Sequence, residues 1–213
     1  MKIRNMHYYV LTALLLLGLA GMAMAPNQQA DDHEMLDIGQ TAPMADVSMK
    51  TIDGEMTSLM DAKRDKGLLV IFTSNTCPYV KAWEDRYLEV ANLAKENDIG
   101  VIALNSNTRT RDRGESMEDM KKRAKKLNYN FTYAKDKNHK LADAFGATHT
   151  PHIYLFNSDM ELVYRGAIDD NYENADAVEK PYLKNALKSL AEGEEIANKT
   201  TVSLGCSIKR VSS

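Results

Sequence analysis

The chain has 213 residues, 27% of them charged, with a formal net charge of −3. That length suits one domain of moderate size plus a removable leader, with enough chain for a proper core. The near balance of charge gives no footing for nucleic acid or an acidic membrane surface, and two cysteines are too few for a disulfide-built scaffold.

Residues 1–25 read as a secretory signal peptide. Lys2 and Arg4 precede an apolar run from Val10 to Ala20, and small residues follow at Gly21, Ala23 and Ala25. The run is too short for a membrane span. Two cleavage sites compete: Ala23-Met24-Ala25, followed by an unfavourable Pro26, and Gly21-Met22-Ala23. The competing reading is an uncleaved anchor. The expectation is an exported protein, periplasmic or otherwise extracytoplasmic, with no stable membrane insertion after cleavage.

Residues 26–37 form a polar, flexible entry, and the domain spans 38–199. An Asp53-Gly54 turn inside Val47–Leu59 predicts a β-hairpin. Leu68–Phe72 is a continuous apolar run, as in a strand buried on both faces. From Pro78 to about Asn97 the apolar residues Trp83, Tyr87, Val90, Ala91 and Ala94 keep helical spacing. Ile99–Leu104 is a second buried strand. Glu115–Leu127 is a basic-rich helix, Phe131–Tyr133 a short strand, and Leu141–Phe145 a short helix ended by Gly146. His152–Phe156 and Glu161–Arg165 are two strands, and Pro181–Ala191 is a helix with proline in its first turn. Residues 200–213 are a tail carrying Cys206. This order predicts an α/β domain, a central mixed sheet flanked by helices, with an N-terminal β-hairpin extension.

Cys77 stands between the buried strand and the first turn of the following helix. Unpaired amide N–H groups and the positive end of a helix dipole stabilise a thiolate there, which marks Cys77 as a nucleophile. Its bland alternative is a buried or statically bridged cysteine. Cys206 is the only possible internal partner. Three roles fit it: a resolving thiol, one half of a structural bridge, or an independent thiol.

The strand, then Cys77-Pro78-Tyr79-Val80 and a helix, with Thr150-Pro151 before two strands, resembles the thioredoxin fold. The wider pattern is similar to the redoxin and peroxiredoxin-like branch related to alkyl hydroperoxide reductases. The pieces that carry it are Gly39-Gln40-Thr41-Ala42-Pro43, Asp53-Gly54, Val70 to Val80, Asn105-Ser106-Asn107, Gly146 to Pro151, Tyr164-Arg165-Gly166 and Gly205-Cys206-Ser207. The resemblance implies that Cys77 attacks a disulfide sulfur or a peroxide oxygen. It also implies that Ser74, Thr76 and Pro78 shape the loop, that Thr150 and a cis-Pro151 border the thiol, and that Arg165 can place a cation near it. Peroxiredoxins carry Pro seven residues and Thr or Ser three residues before the reactive cysteine. Ser74 fills the second position, but Val70 occupies the first, and Val80 stands where dithiol motifs keep a second cysteine. The preferred expectation is thiol–disulfide exchange. The alternatives are a thiol peroxidase with Cys206 resolving, and a non-enzymatic module binding extended peptides beside Thr150-Pro151.

No bound cofactor is implied, because electrons would come from a partner thiol protein. The partners expected are a thiol or disulfide protein and, on the alternative reading, a peroxide. His149 and His152 flank Thr150-Pro151 and are placed to tune a thiol, but with Cys77 they lack the spacing of a metal site. Trp83 and Tyr87 read as core. Arg109, Arg111 and Arg113 read as a solvated basic loop, with an anionic substrate or partner as the sharper alternative.

Overall fold

A computed structural model describes residues 33–211. The expected leader, the start of the polar entry and the last two residues lie outside the described residues. The ordered core begins earlier than Ile38, because Leu36 is already buried and its amide donates to the Phe145 carbonyl at 3.1 Å.

The hairpin forms as expected. β1 (Met49–Thr51) and β2 (Met56–Thr57) pair antiparallel. Gly54 between them takes φ +94°, a conformation that favours glycine. Helix α1 (Leu59–Ala62) follows, started by a capping box in which Ser58 and Asp61 satisfy each other's amides.

Every residue of β3 (Gly67–Thr73) and β4 (Ile99–Asn105) is buried, which their unbroken apolar runs require. The two strands pair in parallel, and β5 (Thr132–Lys135) joins β4 in parallel. After the two-residue β6 (His149–Thr150), β7 (His152–Phe156) runs antiparallel to β3. β8 (Leu162–Gly166) closes that edge. The sheet order is β2-β1-β5-β4-β3-β7-β8.

The strand period of two divides the apolar residues between two cores. Leu69 and Ile71 of β3, with Ile153 and Leu155 of β7, enter the first. Helices α2 (Pro78–Trp83), α3 (Tyr87–Glu96), α4 (Met117–Lys126) and α6 (Tyr182–Glu192) supply residues to the same core. Leu68, Val70 and Phe72, with Tyr154 and Phe156, enter the second core with α5 (Lys140–Ala144) and Leu36. There Phe72 packs edge-on against Phe145 and Tyr154, with ring centroids 5.4 and 5.6 Å away. Fully burying one such side chain contributes about 1.5–3 kcal/mol.

The single helix expected from Pro78 to Asn97 is broken at Glu84–Arg86 by a 3-10 turn. Two of the three charged residues at the break, Glu84 and Arg86, are buried and paired. Glu84 accepts from Arg123 and from the Tyr129 hydroxyl, and Arg86 meets Asp169 at 3.2 Å. The tail carrying Cys206 folds back onto the domain. It forms β9 (Cys206–Ser207), paired antiparallel with β6.

Candidate redox site

β3 ends at Thr73, and the polar residues Ser74, Asn75 and Thr76 lead to Cys77 at the N-cap of α2. Pro78 takes the first helical position, where its missing N–H leaves nothing unsatisfied. Cys77 is 4% exposed. Its amide donates to Ser74 Oγ at 3.2 Å, and its thiol donates to the Thr150 carbonyl at 3.1 Å. The Thr150–Pro151 peptide bond is cis.

The tail brings the second cysteine to this point. Thr150 pairs with Cys206 and His149 with Ser207 across the β6–β9 ladder. Both cysteines are free, and Cys206 packs against the buried cluster that contains Cys77. Burial first, and then the neighbouring Cys77 thiol, push the Cys206 thiol up to about 11, against weaker opposition from the Tyr79 backbone and Lys209. Cys206 is therefore a protonated partner at neutral pH.

The tail is a strap tied on both sides of Cys206. The Thr201 amide donates to the Arg165 carbonyl at 3.0 Å, and Ser203 Oγ donates to the Pro151 carbonyl at 2.8 Å. Beyond the cysteine, the Ile208 amide reaches Thr148, the Lys209 amide reaches Asn107 Oδ1, and Arg210 Nε reaches Asp143 at 2.7 Å. Gly205 is required where the strap crosses, since a Cβ there would run into the Thr150 carbonyl.

A wholly buried acid, Glu115, carries the loop before Cys77. It accepts from Ser74 Oγ at 2.5 Å, Thr76 Oγ1 at 2.6 Å, and the amides of Asn75 and Thr76 at 3.0 and 3.1 Å. Asn105 Nδ2 gives a further bond at 2.5 Å. Sequence reasoning missed this residue as a site member. The signal available was the run Ser74-Asn75-Thr76, polar and boxed between buried elements, which demands a buried partner from elsewhere.

The other named residues go to different places. Arg165 pairs across from Tyr154, so its side chain leaves the sheet on the second core's face, whereas Cys77 belongs to the first. Its guanidinium lies 3.5 Å from Asp37, and among the described residues it makes no hydrogen bond to Cys77. His152 shares that second face and touches Tyr154 at 3.4 Å. Burial, then the charges of His149 and Arg165, hold its imidazole down at about 3. His149 bonds Thr148 Oγ1 at 2.7 Å, and burial lowers it as well. Trp83 and Tyr87 are core, as expected; Trp83 Nε1 donates to Asp169 at 2.7 Å. The basic loop is only partly solvated. Arg109 and Arg113 are exposed, but Arg111 turns inward to Asn105 Oδ1 at 2.6 Å and to the Glu115 carbonyl at 3.0 Å.

Comparison with known proteins fits this arrangement. The AhpC/TSA family matches residues 38–165. An uncharacterized conserved protein from Geobacillus kaustophilus is 34% identical, with a TM-score of 0.78 over 84% of this chain and 95% of that one. A hypothetical protein from Sinorhizobium meliloti 1021 is 28% identical, with a TM-score of 0.76 over 84% of this chain and 97% of that one. The peroxidoxin BcpB from Mycobacterium tuberculosis shares the fold alone, at 12% identity and a TM-score of 0.56 over 72% and 97%. No curated protein matches the chain.

Proposed function

The chain belongs to the AhpC/TSA family, a thioredoxin-fold redoxin family, and from that premise we propose that it is a thiol–disulfide oxidoreductase in which Cys77 attacks and Cys206 resolves. The carrying observation is that Cys206 is registered opposite Thr150, whose carbonyl takes the Cys77 thiol.

The steps balance as two exchanges. The Cys77 thiolate attacks one sulfur of a partner disulfide; a mixed disulfide forms, and the other sulfur leaves as a thiolate. The Cys206 thiolate then attacks the Cys77 sulfur, forming a Cys77–Cys206 bond and releasing the second partner thiol. The protein is oxidised by two electrons and the partner reduced by two. The order follows from the Cys206 environment. Burial and the neighbouring Cys77 both raise the Cys206 thiol, whereas Cys77 stands at a helix N-cap, where a thiolate is stabilised. Cys77 is therefore the attacking thiol and Cys206 the resolving one.

The physiological partner on this reading is a thiol or disulfide protein. Export is part of the same proposal. It rests on Lys2, Arg4 and the Leu14–Leu17 run, and N-terminal sequencing of secreted protein would test it.

Stopped-flow oxidation of the reduced chain separates the reactions. Rapid exchange with a small aromatic disulfide, lost in Cys77→Ser, and slow oxidation by hydrogen peroxide are expected. Fast Cys77-dependent oxidation by peroxide with sluggish exchange would favour the peroxidase instead. Inertness in both assays would leave a peptide-binding module.

A further inference from the structure

We propose that Glu115 is a specificity-determining residue, one that steers Cys77 towards disulfides and away from peroxides. The inference rests on the reading of Cys77 as the redox nucleophile.

The two substrates make different demands on the loop. When a thiolate attacks a disulfide, a sulfur–sulfur bond forms, another breaks, and the departing sulfur leaves as a thiolate, the conjugate base of an acid with pKa about 8.5. When it attacks hydrogen peroxide, a sulfur–oxygen bond forms and the oxygen–oxygen bond breaks. The sulfur is oxidised to a sulfenic acid. The second oxygen departs as hydroxide, the conjugate base of water with pKa about 15.7, and takes up a proton from solvent. The oxygen leaving group needs hydrogen-bond donors aimed at it as charge develops.

The natural donors are the amides and hydroxyls of the loop around Cys77, and Glu115 has consumed them. Its carboxylate takes the Asn75 amide at 3.0 Å, the Thr76 amide at 3.1 Å, the Thr76 hydroxyl at 2.6 Å and the Ser74 hydroxyl at 2.5 Å. With its proton turned to Glu115, Ser74 Oγ is an acceptor, and it takes the Cys77 amide at 3.2 Å. Pro78 has no amide to offer. The Asn75 side-chain amide is spent on the Gly114 carbonyl at 2.9 Å. The Ser74 and Thr76 hydroxyls and the Asn75, Thr76 and Cys77 amides thus each already have an acceptor. A carboxylate has no proton to give when ionised, so it can fill this role only by collecting donors.

Two variants test the proposal. Ser74→Ala removes the acceptor of the Cys77 amide while leaving Glu115 in place. Glu115→Gln keeps the side-chain volume but converts one acceptor end into a donor. For each, the second-order rate constants of Cys77 with hydrogen peroxide and with a small aromatic disulfide are measured, and their ratio is compared with that of the wild type. A merely structural role lowers both rates and leaves the ratio alone. The expected result is a peroxide-to-disulfide ratio raised about tenfold or more in either variant, since one well-aimed donor changes such rates by about 10²–10³. Ratios that stay at the wild-type value or fall in both variants would overturn it. The wild-type disulfide rate reports separately on the underlying exchange reading: with no exchange there, that reading fails whatever the ratio does.

Discussion

Cys206 lies directly across the β6–β9 ladder from Thr150, the residue whose carbonyl receives the Cys77 thiol. One backbone register thus fixes both cysteines against the same residue. The sulfur pair is positioned by main-chain pairing, with the strap tied down on either side of it. Cys77 is 4% exposed, so a bulky partner meets it only when neighbouring chain yields.

Gly205→Ala tests that positioning. The new Cβ would run into the Thr150 carbonyl, so the strap must shift away from β6. The variant is expected to alkylate faster at Cys77 than the wild type and to close its internal disulfide more slowly. Iodoacetamide rates with mass mapping check both. Unchanged rates would mean that the strap does not shield the thiol.

Asp169→Ala should destabilise the fold without touching the sulfur chemistry directly. Asp169 is 4% exposed and takes Arg86 at 3.2 Å and Trp83 Nε1 at 2.7 Å. Removing it leaves the buried Arg86 guanidinium with only the exposed Asp85, 3.6 Å away, as counter-charge, a loss of about 3–5 kcal/mol. Urea unfolding of the reduced protein measures this. A loss under about 1 kcal/mol would show that the pair contributes little.

His152 predicts a particular pH profile. Its folded-state pKa is depressed to about 3, first by burial and then by the charges of His149 and Arg165. The unfolded chain takes up a proton near pH 6.5, so it binds more protons than the folded one below that pH. The stability His152 contributes is present above about pH 6.5 and is lost as pH falls towards 3, amounting to a few kcal/mol at about 1.4 per pKa unit. Denaturation of His152→Phe across this range should show a flatter acid limb than the wild type. Parallel curves would contradict the assignment.

Much of this architecture is legible in the residues. The apolar runs at Leu68–Phe72 and Ile99–Leu104 have one physical solution, a strand covered on both faces. Pro78 marks the first turn of a helix, and Asp53-Gly54 marks the hairpin. The strap was hidden for a physical reason. A two-residue strand is too short to show a period, and Cys206–Ser207 is held by pairing with a segment more than 50 residues earlier. Glu115 was hidden because its partners, Ser74 to Thr76, lie 39 to 41 positions away and only the fold brings them together. The helix break at Glu84–Arg86 belongs to the same class: the apolar spacing runs through it unchanged, and only the buried partners Arg123, Tyr129 and Asp169 explain the tighter turn.

The most direct measurement of the central claim is a mass map of the reduced chain after reaction with one equivalent of a small disulfide, run beside Cys206→Ser. The account predicts a Cys77–Cys206 crosslink in the wild type with both probe halves released, and a stalled probe adduct on Cys77 in the variant. A stable adduct on Cys77 in the wild type, with Cys206 still free, would contradict it.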